Sequence, residues 1–139
     1  MGKNYLYDPD LGLGGSVVDK FTDSLPKQHE SNYHVITDNF FTSPQLLRSL
    51  NRKGIAGTGT VRVNRVENAP LKPVKEMEKM ERASADVVTD ISSNIGFVRW
   101  KDNKVVTVIT SKYGLNPQAK ANRYIKEKRE EWILISHNA

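Results

Sequence analysis

The fold is decided by one stretch of the chain, Ile36-Thr37-Asp38-Asn39-Phe40-Phe41-Thr42-Ser43. It places a carboxylate, Asp38, at the end of a short apolar run that predicts a strand from Tyr33 to Thr37. The last side chain of a strand stands on a rigid support at the open rim of a sheet, where α/β enzymes often keep a metal ligand. Two other interpretations stay open: a simple Asx turn at Asp38-Asn39, and a carboxylate that only satisfies backbone donors of the following turn.

The residues after Asp38 predict a helix with clear boundaries. Ser43 is suited to cap it, Pro44 to occupy its first position, and Gly54 to end it in the left-handed conformation. The predicted buried stripe consists of Leu46, Leu47 and Leu50. The helix joins the Tyr33 strand to a later β-rich segment.

That segment runs from Ile55 to Val63, and its glycines Gly57 and Gly59 permit a bulge or a close neighbour. The region from Tyr33 to Val63 is therefore predicted to be a strand–helix–strand unit, about the size of one βαβ crossover.

Composition sets outer limits on the fold and function. With 139 residues the chain has room for one domain, and 27% of its residues are charged. The absence of cysteine excludes disulfides, thiolate zinc sites and cysteine nucleophiles. The three histidines have no metal-ligand spacing, and no apolar run approaches a membrane span. We therefore expect a soluble, intracellular protein with no zinc and no membrane partner.

Upstream of the strand, the sequence predicts a helix that Ser16 caps and Pro26 stops. Its buried face is predicted to carry Val17, Val18, Phe21 and Leu25. The preceding Gly12-Leu13-Gly14-Gly15 matches neither the dinucleotide fingerprint nor a P-loop, and we interpret it as a flexible entry to the helix.

Positive charge is concentrated between Arg48 and Arg82, where nine basic residues stand against four acidic ones. The whole chain carries a formal charge of +5, which favours an acidic partner, nucleic acid first. Pro70 and Pro73 predict an extended linker, followed by a short charged helix from Lys75 to Glu81. The candidate DNA contacts are Arg48, Arg52, Lys53, Arg62, Arg65, Lys72 and Lys75. A merely solvated linker is the alternative.

A β-hairpin is predicted further on, from Phe97 to Trp100 and from Val105 to Ile109. Trp100 is interpreted as a core anchor, with a base-stacking platform as the alternative. The stretch from Lys120 to Glu131 is charged with both signs, and Trp132 to Ile135 is a short apolar end whose partner the sequence does not indicate.

Three motifs occur in a specific order. They are Gly12-Leu13-Gly14-Gly15-Ser16-Val17-Val18, then Thr37-Asp38-Asn39-Phe40-Phe41-Thr42-Ser43, then Gly57-Thr58-Gly59-Thr60-Val61-Arg62-Val63-Asn64-Arg65. Together with Trp100-Lys101-Asp102-Asn103-Lys104-Val105-Val106 they resemble the transposase domain of the piggyBac family, including its domesticated derivatives in animal genomes. The resemblance runs from about Gly2 to about Lys128.

The resemblance implies an α/β fold: a partial ribonuclease-H-like core in residues 1–65, a basic linker and β-hairpin insertion in 66–128, and a divergent tail in 129–139. In that family three aspartates hold two divalent metal ions, Mg²⁺ in this case, for hydrolysis and strand transfer of DNA. Asp38 matches the second of these aspartates, and is the one catalytic and metal-ligand candidate. The resemblance also implies DNA as partner and the nucleus as location, and is compatible with a homo-oligomer.

The first family aspartate would precede this chain, and the motif of the third does not occur after Lys128. One carboxylate cannot position two metal ions, so we expect no autonomous catalysis. The sequence predicts a transposase-derived fragment with a vestigial Asp38. A non-enzymatic DNA-binding or chromatin-interaction module and a truncated gene model of a full transposase are the alternatives.

Two structural expectations follow from the departures. An incomplete core would expose sheet edge and an apolar helix face. In addition, Ala83 stands where the family usually has glycine after Glu-Arg, so the turn there is expected to be strained or rebuilt.

Overall fold

The computed structural model describes residues 7–27, 32–111 and 130–135, a mixed α/β fold built on one six-stranded sheet. The helices are α1 (Gly12–Asp23), α2 (Pro44–Arg52) and α3 (Val74–Glu78). The strands are β1 (Asn32–Thr37), β2 (Ala56–Thr60), β3 (Ala85–Asp90), β4 (Ile95–Lys101), β5 (Val105–Thr110) and β6 (Glu130–Ile135). The predictions made for His29, His137 and the charged stretch 120–129 lie outside the described residues.

The sheet has the strand order β3-β4-β5-β2-β1-β6. β1 is parallel to both of its neighbours, β2 and β6, whereas the other three pairs are antiparallel. The predicted strand–helix–strand unit is confirmed, since β1 and β2 are adjacent, parallel and joined by α2. The apolar end of the chain has its partner in β1. The strands of this one sheet come from all three predicted segments, 1–65, 66–128 and 129–139. The division into three segments remains a prediction.

The α2 helix forms as its sequence predicts. The backbone N–H of Leu46 donates to Ser43 Oγ at 3.1 Å, and Pro44 occupies the first turn. Leu46 and Leu50 pack into a core cluster with residues of α1 and β1, while Leu47 packs into a second cluster with β4 and β5. The helix α2 therefore packs on one face of the sheet and contributes side chains to both core clusters.

The α1 helix differs from its prediction at its start and on its buried face. It begins at Gly12, and Ser16 lies inside it, where Ser16 Oγ accepts the backbone N–H of Asp8 at 2.7 Å. A Cβ on Gly14 would lie 2.9 Å from the Phe40 carbonyl oxygen, so the glycines allow the helix backbone to approach the β1–α2 loop closely. The glycine side and Val18 therefore face inward, and the prediction that Val17 and Phe21 are buried was wrong.

The linker after β2 is anchored to the sheet rather than freely solvated. Arg99 of β4 pairs with Asp86 of β3 on one side and with Thr107 of β5 on the other. Its side chain is buried and donates through Nη1 to the Lys72 carbonyl oxygen at 2.9 Å. Asp86 accepts the Lys72 backbone N–H at 2.7 Å, so both polar groups of that residue's backbone are held. Burial lowers the pKa of the Arg99 guanidinium. Neither β3 nor this contact was predicted from the sequence.

The hairpin of β4 and β5 is confirmed, but the core role of Trp100 is not. Side chains alternate between the faces of a strand, and Phe97 and Arg99 face the helices. Trp100 is half-buried on the opposite face and lies outside both clusters of buried apolar residues. The base-stacking alternative stays a prediction. In the part of the chain that is described, no helix has the length and apolar character needed to cross a bilayer.

The strained turn at Ala83 is confirmed. Ala83 has a φ of 75°, in the left-handed region where an L side chain crowds the backbone. The turn is held in place because Ala83 N–H donates to the Lys101 carbonyl oxygen at 2.8 Å and Ser84 N–H donates to that of Glu81 at 3.1 Å.

Replacing Ala83 with glycine is expected to stabilise the protein by about 1 kcal/mol, since the strain is relieved without loss of a contact. The free energy of unfolding in urea measures this. Ala85→Gly, at the first residue of the adjacent strand β3, is the matched control and should destabilise, because glycine is less restrained than alanine in the unfolded chain. Equal effects of the two variants would contradict the strain.

Candidate functional site

Asp38 lies directly after β1, at the end of the sheet where the carboxyl ends of the parallel strands β1 and β2 meet. Its Oδ1 accepts the Phe40 backbone N–H at 3.0 Å, and its carbonyl oxygen accepts from Phe41 N–H at 3.1 Å and from Thr42 Oγ1 at 2.7 Å. The placement of Asp38 at a strand end and the Asx turn are both confirmed, whereas its role as a metal ligand stays a prediction.

This strand end is packed without spare room. Thr37 Oγ1 and Thr42 Oγ1 are 2.5 Å apart, and both residues are buried. A Cβ on Gly59 of β2 would lie 2.5 Å from both hydroxyl oxygens and from the Thr37 carbonyl oxygen. The prediction that a strand glycine admits a close neighbour is confirmed here, and the packing fixes the backbone that carries Asp38.

The residues around Asp38 do not fit a two-metal centre. Two divalent ions need several oxygen ligands that converge from separate elements. Among residues 7–27, 32–111 and 130–135, no group of three or more His, Cys, Asp or Glu side chains could hold an ion. The chemistry of an Mg²⁺ pair therefore cannot be derived from these residues.

The seven basic candidates do not form one surface. Arg62 follows β2 and lies at the sheet edge of Asp38, and Arg65 donates to the Phe40 carbonyl oxygen at 3.4 Å. Arg52 and Lys53 end α2 close to the start of β2, which is the opposite edge. Lys72 belongs to the anchored linker and Lys75 to α3, while Arg48 lies in the middle of α2. We call the end of the molecule that carries Asp38, Arg62 and Arg65 the Asp38 edge.

Three of the seven cations have acidic partners. Arg48 donates to both carboxylate oxygens of Glu67, at 2.7 and 2.9 Å, and this contact raises its pKa. Lys53 Nζ lies 2.8 Å from Asp23 Oδ1 and 3.0 Å from Asp19 Oδ1. Burial opposes the charge of Lys53, but these contacts raise its pKa. Lys72 has a weaker pairing, 3.9 Å from Asp86 Oδ1.

Arg52, Arg62, Arg65 and Lys75 have no ion-pair partner in the part of the chain that is described. Arg62 is exposed and Arg65 half-buried. A shallow cavity of about 300 Å³ adjoins Arg65. The carboxylates of Asp10 and Glu67 also line it, so its charge is mixed. The unpaired arginines next to Asp38 are consequently the cations best placed to meet a polyanion at that edge.

Asp90, which sequence reasoning missed, makes stability depend on acid pH. Hydrogen bonds from Ser93, then Ser92, and the contact with Arg48 lower the pKa of Asp90 from 3.8 to about 2. Its folded-state pKa lies below its unfolded value, so its stabilising contribution is complete above about pH 4 and disappears as pH falls towards 2.

We expect Asp90→Asn to flatten the pH dependence of the unfolding free energy between about pH 4 and pH 2. An unchanged slope would contradict the assignment.

Comparison with known proteins identifies the family. The family model described as "Transposase IS4" matches residues 2–135. PiggyBac transposable element-derived protein 2 of Homo sapiens is 42% identical over 117 residues, which is 84% of this chain and 20% of that protein. The chain belongs to the piggyBac transposase family. PiggyBac transposable element-derived protein 3 of Homo sapiens is 37% identical over 122 residues, 88% of this chain and 20% of that protein.

A solved piggyBac structure has a similar fold. It is entitled "Cryo-EM structure of piggyBac transposase synaptic complex with hairpin DNA", and the match has a TM-score of 0.57 at 22% identity. It covers 84% of this chain and 25% of that one. The chain therefore spans about a fifth of the curated piggyBac relatives and a quarter of the solved one. The family match extends through β6, beyond the point where the motif resemblance ended.

Proposed function

We propose that this chain is a DNA-binding part of a piggyBac-type transposase domain that does not catalyse strand transfer on its own. In this proposal the unit β1–α2–β2 corresponds to the ribonuclease-H-like core of the family. Asp38 then occupies the position of its second metal-ligating aspartate and acts as a turn residue. Among the described residues, no group of three or more His, Cys, Asp or Glu side chains could hold a metal ion around it, so the proposal rests on binding.

The observation that carries the proposal is the pair of arginines beside Asp38. Arg62 and Arg65 have no acidic partner in the described part of the chain, whereas Arg48 and Lys53 are already neutralised. A guanidinium without an acidic partner can form charge-assisted hydrogen bonds to phosphate oxygens. Contacts of this kind position a protein on DNA without reading its sequence. DNA is accordingly expected to approach the Asp38 edge.

Salt-dependent binding to duplex DNA tests this directly. Each phosphate contact releases counterions, so the slope of log K against log[salt] should fall by about 1 when one contacting arginine is lost. We expect that result for Arg62→Gln. The matched control is Arg52→Gln, which removes the same charge from an unpaired arginine at the opposite edge and should leave the slope unchanged. Equal losses would contradict an Asp38-edge interface, and a wild-type slope near zero would contradict DNA binding.

A second candidate is that the chain is a piece of a full transposase, whose other aspartates lie outside it. The observation in its favour is that the curated relatives are about five times longer than the matched region. The mass of the endogenous protein, or an open reading frame that continues past either end, distinguishes this second candidate from the first proposal.

Under either candidate we propose a nuclear location. Exclusion of the tagged chain from the nucleus in fluorescence microscopy would contradict it.

A further inference from the structure

The loop that follows β2 carries both arginines of the proposed DNA contact. It runs from Arg62 to Ala69 and contains a 3₁₀ turn, Val63–Arg65; we call it the arginine loop. Within it the Arg65 N–H donates to the Arg62 carbonyl oxygen at 2.9 Å, and the Ala69 N–H donates to that of Val66 at 3.0 Å. The positions of the two guanidinium groups therefore depend on the contacts that fix this loop.

Two successive residues of the arginine loop have a left-handed backbone. Glu67 has a φ of 55° and Asn68 a φ of 62°. Asparagine adopts this conformation readily because its short polar side chain can hydrogen-bond locally, whereas glutamate is crowded there. Strained residues persist only where the surrounding structure holds them, and they cluster at functional sites. The backbone conformation of Glu67 thus requires a restraint from outside the loop.

Arg48 of α2 supplies that restraint. Its guanidinium donates to both carboxylate oxygens of Glu67, at 2.7 and 2.9 Å, and its Nη2 lies 3.4 Å from Asp90 Oδ2 at the end of β3. A guanidinium and a carboxylate joined by two hydrogen bonds fix each other's direction as well as their distance. Arg48 follows the fully buried Leu47, so the packing of α2 sets its position. The arginine loop is thereby held to a rigid element.

The Arg48–Glu67 pair lies next to the arginines of the loop. Glu67 follows Arg65 by two residues and Arg62 by five, and Glu67 and Arg65 line the same cavity of about 300 Å³. Arg65 in turn donates to the Phe40 carbonyl oxygen at 3.4 Å, in the turn that Asp38 begins. A change of backbone conformation at Glu67 would therefore shift both arginines relative to the Asp38 edge.

We infer that Arg48 and Glu67 form a positioning pair for DNA binding. They hold the arginine loop in the conformation that presents Arg62 and Arg65 to phosphate, and they do not contact DNA themselves. The inference rests on the proposed function, since it needs DNA at the Asp38 edge. It also explains an acid among these cations, because Glu67 supports binding although its charge repels phosphate.

Glu67→Gln separates positioning from simple electrostatics. The substitution keeps the shape of the side chain, removes a negative charge and releases Arg48, so charge alone predicts tighter binding to duplex DNA. Positioning predicts the opposite, because apparent affinity falls with the fraction of molecules whose loop is in the competent conformation. We expect binding about fivefold weaker in a fluorescence anisotropy titration, which corresponds to about one competent molecule in five.

Glu76→Gln is the matched control. It removes the same charge from an exposed acid of α3 that has no ion-pair partner in the described part of the chain. DNA affinity should stay unchanged or rise slightly, because the net positive charge increases. Glu67 and Glu76 are both exposed, so both variants should fold, and thermal unfolding followed by circular dichroism checks this.

A double-mutant cycle shows whether the effect of Glu67 passes through the arginines. In a chain that carries Arg62→Gln and Arg65→Gln, measured at a salt concentration low enough for binding to persist, adding Glu67→Gln should cost no further affinity. A merely structural role of the pair would weaken both backgrounds equally.

The outcomes also separate this inference from the proposed function. Binding by Glu67→Gln at least as tight as that of the wild type would overturn the positioning role alone, as would a loss equal to that of Glu76→Gln or an equal loss in both backgrounds of the cycle. Absence of DNA binding by the wild-type chain would overturn the proposed function and the positioning role together.

Discussion

Gly59→Ala is expected to destabilise the protein by about 3 kcal/mol or more, the largest effect of any single change proposed for this chain. The added Cβ would lie 2.5 Å from two hydroxyl oxygens and one carbonyl oxygen. Thr37 and Thr42 are buried and hydrogen-bonded to each other, so they cannot retreat without losing that contact. Thermal unfolding followed by circular dichroism should show a Tm lower by about 10 °C or more.

Gly57→Ala in the same strand is the matched control. Its Cβ would meet only the side chains of Leu47 and Leu50, at 3.1 to 3.3 Å, and these can shift by a few tenths of an ångström. We expect a change within about 1 kcal/mol of wild type, because alanine also restrains the unfolded chain more than glycine does. If Gly59→Ala were no more harmful than Gly57→Ala, the tight packing behind Asp38 would be refuted.

Leu50→Ala should have the second largest effect, a loss of about 3 kcal/mol of unfolding free energy. Leu50 is fully buried in the cluster that joins α1, α2 and β1, so the substitution leaves a cavity where several elements meet. Urea denaturation measures the loss. Ile91→Ala removes a similar amount of apolar side chain at an exposed loop tip and should cost less than about 0.5 kcal/mol. Comparable losses would contradict the placement of α2 over the core.

The parts of the fold that sequence predicted correctly are those whose signals are local. α2 carries its cap, its first-turn proline and its apolar stripe within a dozen residues, and the Ala83 turn depends on one position. β1 and β2 are also visible locally. Their parallel pairing followed because a strand–helix–strand segment of this size matches one βαβ crossover, which joins parallel strands.

The parts that were missed depend on contacts distant in sequence. The inward face of α1 is set by how closely Gly14 approaches the Phe40 loop, which outweighs the apolar spacing of Val17 and Phe21. β3 is an edge strand, and its burial alternates only between exposed and half-buried residues. β6 has a partner, β1, that lies almost a hundred residues earlier in the chain. No periodicity in the sequence contains that information.

The candidate site, too, was predicted where its signals are local and missed where they depend on contacts distant in sequence. Asp38 could be placed at a strand end from its neighbours alone, and the structure adds the Asx turn. The count of cations between Arg48 and Arg82 could not show which of them are neutralised. The acids that pair with Arg48 lie 19 and 42 residues further along the chain. Charge excess therefore indicates a class of partner, and only the fold separates a paired arginine from one able to meet phosphate.

DNA binding without strand cleavage can be tested in a single gel experiment with divalent ions. Labelled duplex DNA is incubated with the purified chain and with Asp38→Ala, in magnesium and in manganese, and each reaction is resolved on native and denaturing gels. We expect salt-sensitive complexes of similar amount for both proteins and no nicked or joined strands. Cleavage or joining by the wild-type chain that Asp38→Ala abolishes would contradict it, as would the absence of any complex with DNA.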